Sequence, residues 1–238
     1  MHLTVTSVDY RTHGIAAVTI ATDSSEATVG GDFVSPAVDD DGATSEATPT
    51  LILGDTAMLH RLTRGRTLTS AEWDAIREEG RVGLAVRHAM NLVARKPRSE
   101  SEIRRTLLTH AAAFEPSEVD AAMARLRDLG AVDDSRWVAS YVAQPRANGR
   151  GARLLRRELG QRGVQDADAS EALDGRDEGA AALAAALKRT RSLHGLDREA
   201  ARRRLYDFLR RRGFDDSVAR RAMETALAEL HAEAPAEA

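Results

Sequence analysis

Leu155-Arg156-Arg157-Glu158-Leu159-Gly160-Gln161-Arg162-Gly163-Val164 and Leu205-Tyr206-Asp207-Phe208-Leu209-Arg210-Arg211-Arg212-Gly213-Phe214 align without a gap, 50 residues apart. Each has two apolar residues one helical turn apart, then a glycine and a large apolar residue. A third copy, Ile103-Arg104-Arg105-Thr106-Leu107 followed by Phe114, fits if two extra residues fall inside Ala111-Ala112-Ala113. A period of this length marks a tandem array, whose units touch only their neighbours and present one extended surface. Such an array is expected to be elongated.

The helices around these markers follow from caps and stripes. In the first unit Ala85 to Ala94 reads as helix with Val86, Met90 and Val93 on one face, stopped by Pro97. Ser99 with Glu102 three residues later forms a capping box for the next helix. Pro116 suits a first turn. Val119, Met123 and Leu126 make the third stripe, ended by Gly130. In the second unit Asp134 caps a helix bearing Trp137 and Tyr141. Ala152–Gln161 is the middle helix and 167–173 a short third. In the third unit the helices are 179–188, 199–212 and 217–230. One such helix is marginal alone in water, so stacking must bury a shared seam.

Before the array the pattern changes. Residues 3–8 and 15–20 alternate as strands around a hairpin connection at 9–14. Residues 27–29 and 51–53 are further strand candidates, 54–62 a short helix, and Thr69 or Ser70 the cap of a helix over 71–79. Residues 35–50 read as a disordered loop. The expected fold is therefore mainly α: tandem three-helix repeats in an elongated array, preceded by a small β-containing segment. The expected division is 1–80 (acidic, β-rich), 81–130, 131–175 and 176–231 (the repeats), and 232–238 (a disordered tail).

Charge divides the chain at the same place. The formal net charge is −3. Residues 1–80 hold 5 Lys/Arg and 13 Asp/Glu, net −8, whereas residues 81–230 hold 29 and 22, net +7. Nearly all the cations of the basic part are arginines, whose planar donors suit phosphate and carboxylate. The chain has no cysteine, which excludes disulfides and thiolate metal sites. No apolar run approaches a membrane span, and residues 1–5 lack the pattern of a signal peptide, so a cytoplasmic location is expected. A monomer is expected as well.

Ala94-Arg95-Lys96-Pro97-Arg98-Ser99-Glu100-Ser101-Glu102-Ile103, Leu129-Gly130-Ala131-Val132-Asp133-Asp134-Ser135-Arg136-Trp137 and the 156–164 stretch quoted above together resemble the RecX family, regulators of the bacterial RecA recombinase. Arg210-Arg211-Arg212-Gly213-Phe214-Asp215 is similar to the family's last repeat. The β segment with Gly65, Leu68-Thr69 and Trp73 is similar to the N-terminal region of some members. Two features depart from the pattern: Pro145 in the turn after Tyr141, and the Ala111–Ala113 insertion where a helix-ending glycine is usual. The resemblance implies a regulator that occupies the groove of the RecA–single-strand DNA filament and lowers strand exchange and RecA-dependent ATP hydrolysis in DNA repair and the SOS response. A stand-alone single-strand nucleic-acid binder, or a helical adaptor for another acidic protein, remains the alternative.

The residues that would carry binding are arginines. Arg150, Arg153 and Arg157 fall at i, i+3, i+7, away from the Leu155/Leu159 stripe, with Arg156 beside them. Arg203, Arg204, Arg210 and Arg211 repeat this in the third unit, and Arg104 and Arg105 more weakly in the first. An outward arginine row on stacked units is a track for phosphates or an acidic groove; the alternative is a solvated face paired to Glu158, Asp207 or Asp215. Trp137, Tyr141, Tyr206, Phe208 and Phe214 read as core rather than base-stacking residues, so weak direct DNA binding with little base preference is expected. No catalytic, cofactor or metal site is expected. Gly30-Gly31-Asp32-Phe33 reads as a turn, Asp39-Asp40-Asp41-Gly42 lacks calcium-loop spacing, Asp133-Asp134 stands at a helix cap, and the seven histidines form no ligand motif.

Overall fold

A computed structural model describes residues 2–22, 48–193 and 195–232. The strand candidate at 27–29, the sequences at 30–33 and 39–42, nearly all of the 35–50 loop and the tail from 233 lie outside these residues. The chain divides into two compact units, Met1–Arg95 with Arg104–Ala131, and Lys96–Ile103 with Val132–Ala238.

The first unit opens with an antiparallel sheet of order β3-β2-β1-β4, built from β1 (His2–Arg11), β2 (Ile15–Thr22), β3 (Thr50–Leu53) and β4 (Thr67–Thr69). Alternation in β1 sends Leu3 and Val5 inward, where they meet Ile52, Leu62, Leu68, Trp73 and Ile76. A short helix α1 (Gly54–Leu59) follows β3. Thr69 caps α2 (Ser70–Arg95) in a reciprocal box: its Oγ1 accepts the Glu72 N–H at 3.2 Å while the Glu72 carboxylate accepts the Thr69 N–H at 2.7 Å. The Thr69 N–H, and then the Thr69 hydroxyl donating at 2.8 Å, hold the Glu72 carboxyl below its usual range.

Helix α2 corrects the sequence reading in two ways. A single 26-residue helix stands where two were expected, and residue 80 lies in its middle. Gly80 and Gly83 are not breaks. A Cβ on Gly80 would lie 2.6 Å from the Ile52 Cβ, and one on Gly83 3.0 Å from a Leu53 methyl, so both let the helix close on β3. Its second half buries Leu84, Ala85 and Ala89, while Met90 is exposed, so the stripe lies one position away from the expected Val86/Met90/Val93 face. The buried stripe packs against α4 (Pro116–Asp128), whose Val119, Met123 and Leu126 are fully buried as the spacing predicts.

The turn between α3 (Glu100–Leu108) and α4 holds the Ala111–Ala113 departure. Gly163 and Gly213 take positive φ (75° and 87°) just before Val164 and Phe214, and Ala113 takes φ 48° before Phe114. An alanine therefore occupies the left-handed position glycine fills in the later copies, at a steric cost of roughly 1 kcal/mol.

In the second unit, α5 (Asp134–Val142), α6 (Ala152–Gln161) and α7 (Asp166–Asp174) enclose one core, and α8 (Glu178–Thr190), α9 (Arg198–Arg211) and α10 (Asp216–Ala232) the next. Asp133, not Asp134, is the cap of α5, accepting the Arg136 N–H. Asp134 instead accepts the Glu100 N–H at 2.8 Å, and burial pushes its carboxyl above the usual range. Helix α5 ends at Val142, and Pro145–Ala147 form a short 3₁₀ turn beyond it.

Two joints repeat between the copies. At one, the Ser99 hydroxyl donates to the Arg162 carbonyl at 2.8 Å, so the first turn of α3 meets the end of α6. At the other, the Gly151 and Arg153 amides donate to the Arg212 and Gly213 carbonyls at 2.8 and 3.3 Å, so the start of α6 meets the end of α9. The Ala152 amide goes to Glu178 at 3.0 Å. Donors left over at one helix start are thus satisfied by acceptors left over at another helix end, with the dipoles head to tail. The approach is tight: a Cβ on Gly151 would sit 2.4 Å from backbone atoms of Gly213 and Phe214, which cannot rotate aside. Gly151→Ala is expected to cost about 1–3 kcal/mol as an overpacking change. Urea unfolding of the variant checks this, and unchanged stability would show that the joint is slack.

Candidate arginine interface

Leu155 and Leu159 are fully buried on α6, and at 100° per residue Arg153 and Arg157 fall on the opposite side, where both are exposed. Arg157 has no ion pair among the described residues. Arg153 lies 4.0 Å from Asp215, both more than half exposed, a pair worth little in water. Arg156 is turned sideways, half-buried, with Nε 3.3 Å from Asp166.

Arg150 is placed differently from its sequence reading. The helix starts at Ala152, after the Asn148-Gly149 turn, so the i, i+3, i+7 row never includes residue 150. Its guanidinium is part-buried and grips both Glu158 oxygens at 2.8 and 2.6 Å, and Glu158 also accepts the Tyr141 hydroxyl at 3.0 Å.

On α9, Leu205 and Leu209 are fully buried and Arg203, Arg204 and Arg211 are exposed, without ion pairs among the described residues. Arg210 is half-buried and donates to the Phe214 carbonyl at 3.3 Å. Tyr206, on the flank, donates to Asp216, and that hydrogen bond holds the Asp216 carboxyl below its usual range. In the first unit Arg104 pairs with Asp120, while Arg105 is exposed with no ion pair among the described residues.

Aligned on Ile103, Leu155 and Leu205, no position carries arginine in all three copies. Arg105 corresponds to Arg157 but to Asp207 in the third copy, and Arg153 corresponds to Arg203 but to Ser101 in the first. The cations recur in pairs of copies rather than in one repeated column.

Tyr141 is 5% exposed and stacks on the part-buried Trp137 at 5.3 Å between centroids, as their core reading predicts. Arg162 lies over both rings and Arg146 over Tyr141. Sequence reasoning missed a cleft of about 480 Å³ flanked by Lys188, Arg189 and Arg212, with no carboxylate in its wall among the described residues. Arg189 and Arg212 both lie over Phe208, at 5.6 and 5.1 Å from the ring centre. The i, i+4 spacing of Phe208 and Arg212 was a readable signal; Arg189, from another helix, gave none. Among the described residues no three His, Asp or Glu side chains are arranged to hold a metal, and no helix is long and apolar enough to cross a membrane.

Family models for the second and third three-helix domains of RecX match residues 133–173 and 177–223. The regulatory protein RecX of Chromohalobacter salexigens is 37% identical over 137 residues, covering 57% of this chain and 88% of that protein. Its namesake from Prosthecochloris aestuarii is 33% identical over 144 residues, covering 60% and 93%. A crystal structure of regulatory protein RecX superposes with TM-score 0.63 at 18% identity, over 93% of this chain and 99% of that one. RecX from Lactobacillus salivarius gives 0.56 at 17%, over 62% and 97%. At those identities the two structures speak for the fold.

Proposed function

We propose that this chain, which belongs to the RecX family of regulatory proteins, lays its arginine-bearing helix faces into the groove of a RecA filament on single-strand DNA and lowers the filament's activity. The observation that carries this reading is the exposed set Arg157, Arg203, Arg204 and Arg211, unpaired to any carboxylate among the described residues, on helix sides opposite fully buried leucines. Cations without internal partners are available to an outside polyanion. Arg153 extends the set; Arg156 and Arg210 serve at its edge, and Arg150 shapes it from behind through Glu158. Arg105 and Arg104, in the other compact unit, are taken in this reading as separate contacts. The protein acts in this reading as a cytoplasmic monomer, occupying the groove against the second DNA strand and incoming protomers. It catalyses no reaction and needs no cofactor.

Added to RecA on single-strand DNA, the purified protein is expected to lower ATP hydrolysis at substoichiometric amounts. No change at equimolar protein would sink the proposal, and equal or tighter binding to naked single strands would favour the stand-alone binder. The doubly substituted Arg153→Ala, Arg157→Ala chain should bind the filament more weakly. Where DNA phosphates are the acceptors, its salt dependence should flatten by roughly 0.7–0.9 in log–log slope for each arginine–phosphate pair removed.

A further inference from the structure

Seven histidines carry no ligand spacing in the sequence, yet the first unit brings three of them to one pocket. It has a volume of about 540 Å³ and is walled by His13 from the β1–β2 turn, Arg87, His88 and Arg95 from α2, and His110 beyond α3. Among the described residues no carboxylate lines it. Ile15 and Leu92 supply an apolar side, and Asn91 a further polar group.

The geometry suits an anion. His88 and His110 lie with ring centres 4.1 Å apart, and His110 is also stacked on Phe114. The His110 Nδ1 accepts the Ala112 N–H at 3.0 Å, which leaves Nε2 as the nitrogen carrying the proton. Burial holds the His88 imidazole below its usual range. Arg87 spends one bond on the Gly14 carbonyl, at 2.9 Å, and this ties the hairpin that carries His13 onto α2. Arg95 is exposed and has no ion pair among the described residues. Guanidinium and imidazole donors lining one pocket, with no competing carboxylate among the described residues, match the oxygens of a phosphate. The size and the apolar side match a base or sugar attached to it. The three side chains do not form a metal-ligand group.

We propose that this pocket binds a phosphate group carried on a nucleotide, with Arg87, Arg95 and the histidines on the phosphate and Ile15 and Leu92 against the rest of the ligand. The β hairpin thereby gains a purpose, since it delivers one wall of the site. The nucleotide is either free or part of a single strand.

The test uses the full chain and follows its histidine ring resonances at constant ionic strength, titrating separately with inorganic phosphate, dAMP and a short oligothymidylate. Saturable shifts of the His88 and His110 rings are expected with phosphate, and at lower concentration with dAMP or the oligonucleotide. Arg95→Gln should raise the apparent Kd about tenfold, one charge-assisted bond being removed. Its exposure makes it safe for the fold, and His13→Gln serves as a second variant. The tighter of dAMP and oligothymidylate names the source of the phosphate. Shifts that rise in proportion to phosphate without saturating, or a Kd unchanged in both variants, overturn the proposal. None of these readings involves a RecA filament, so the site stands or falls apart from the regulatory role.

Discussion

Replacing Arg81 by alanine is expected to destabilise the first unit by about 3–5 kcal/mol. Arg81 and Glu118 are only 12% and 11% exposed, and their side chains meet at 2.5 and 2.8 Å. The same guanidinium donates to the Ala112 carbonyl at 3.2 Å and the Ala113 carbonyl at 2.7 Å, and lies 5.3 Å from the centre of the Phe114 ring. One side chain therefore closes the ion pair, satisfies two turn carbonyls and holds Ala113 in its left-handed conformation. Removing it leaves a largely buried carboxylate without its cation, which costs more than the pair itself contributed, and two turn carbonyls without their donor. A whole domain is stable by only about 5–15 kcal/mol, so the variant should melt far earlier. Arg81→Met with Glu118→Leu is the control, because an apolar pair of similar volume removes the stranded charge and should recover much of the loss. Thermal melting settles it; a shift worth less than about 0.5 kcal/mol for Arg81→Ala would show that water reaches Glu118 freely.

Leu155→Ala should cost about 2–5 kcal/mol. Leu155 is fully buried in the cluster of Val138, Tyr141, Leu159, Val164, Ala169 and Leu173. The spread reflects how far these neighbours can collapse into the space left. Arg153→Ala and Arg157→Ala, on either side of Leu155 along the same helix, should each shift stability by less than about 0.5 kcal/mol. Melting and filament binding measured together separate the two faces. If the arginine variant melts early and its binding loss merely follows, those side chains are structural. If it melts normally and binds fully, the binding face lies on Arg203, Arg204, Arg210 and Arg211 instead.

What could be read in advance was local. The middle helix of the second copy has the bounds its stripe and glycines predicted, Ala152–Gln161, because amphipathic spacing and the turn at Asn148-Gly149 are written within a few residues. The strands β1 to β3 were legible for the same reason. What escaped depends on distant partners. Gly80 looks like a helix end and is a contact with Ile52, 28 positions earlier in the chain. Strand β4 is three residues long and exists because Leu3 pairs with Leu68. The arginine face was visible as a side of a helix, but which cations are already engaged was not. Arg81 finds Glu118 and Arg162 finds Glu102, pairs 37 and 60 residues apart. The histidine pocket is the extreme case, assembled from a hairpin turn, a long helix and an irregular segment.

The two joints have a polarity, and polarity raises the question of how the series stops. At residue 151 the amide takes a carbonyl from the next copy, as residue 99 does through its hydroxyl. The matching position in the third copy is Ala201, and its amide is bonded to the carbonyl of Asp197 in its own helix, at 2.9 Å. Helix α9 starts one turn earlier than its counterparts, and the Asp197 carboxylate caps that turn through the Ala200 amide. In the language of polymer growth, α3 and α6 carry propagating ends and α9 a terminated one. Residues Asp197 to Ala200 are the end-group of α9, supplying from its own helix the acceptor that the starts of α3 and α6 take from the next copy.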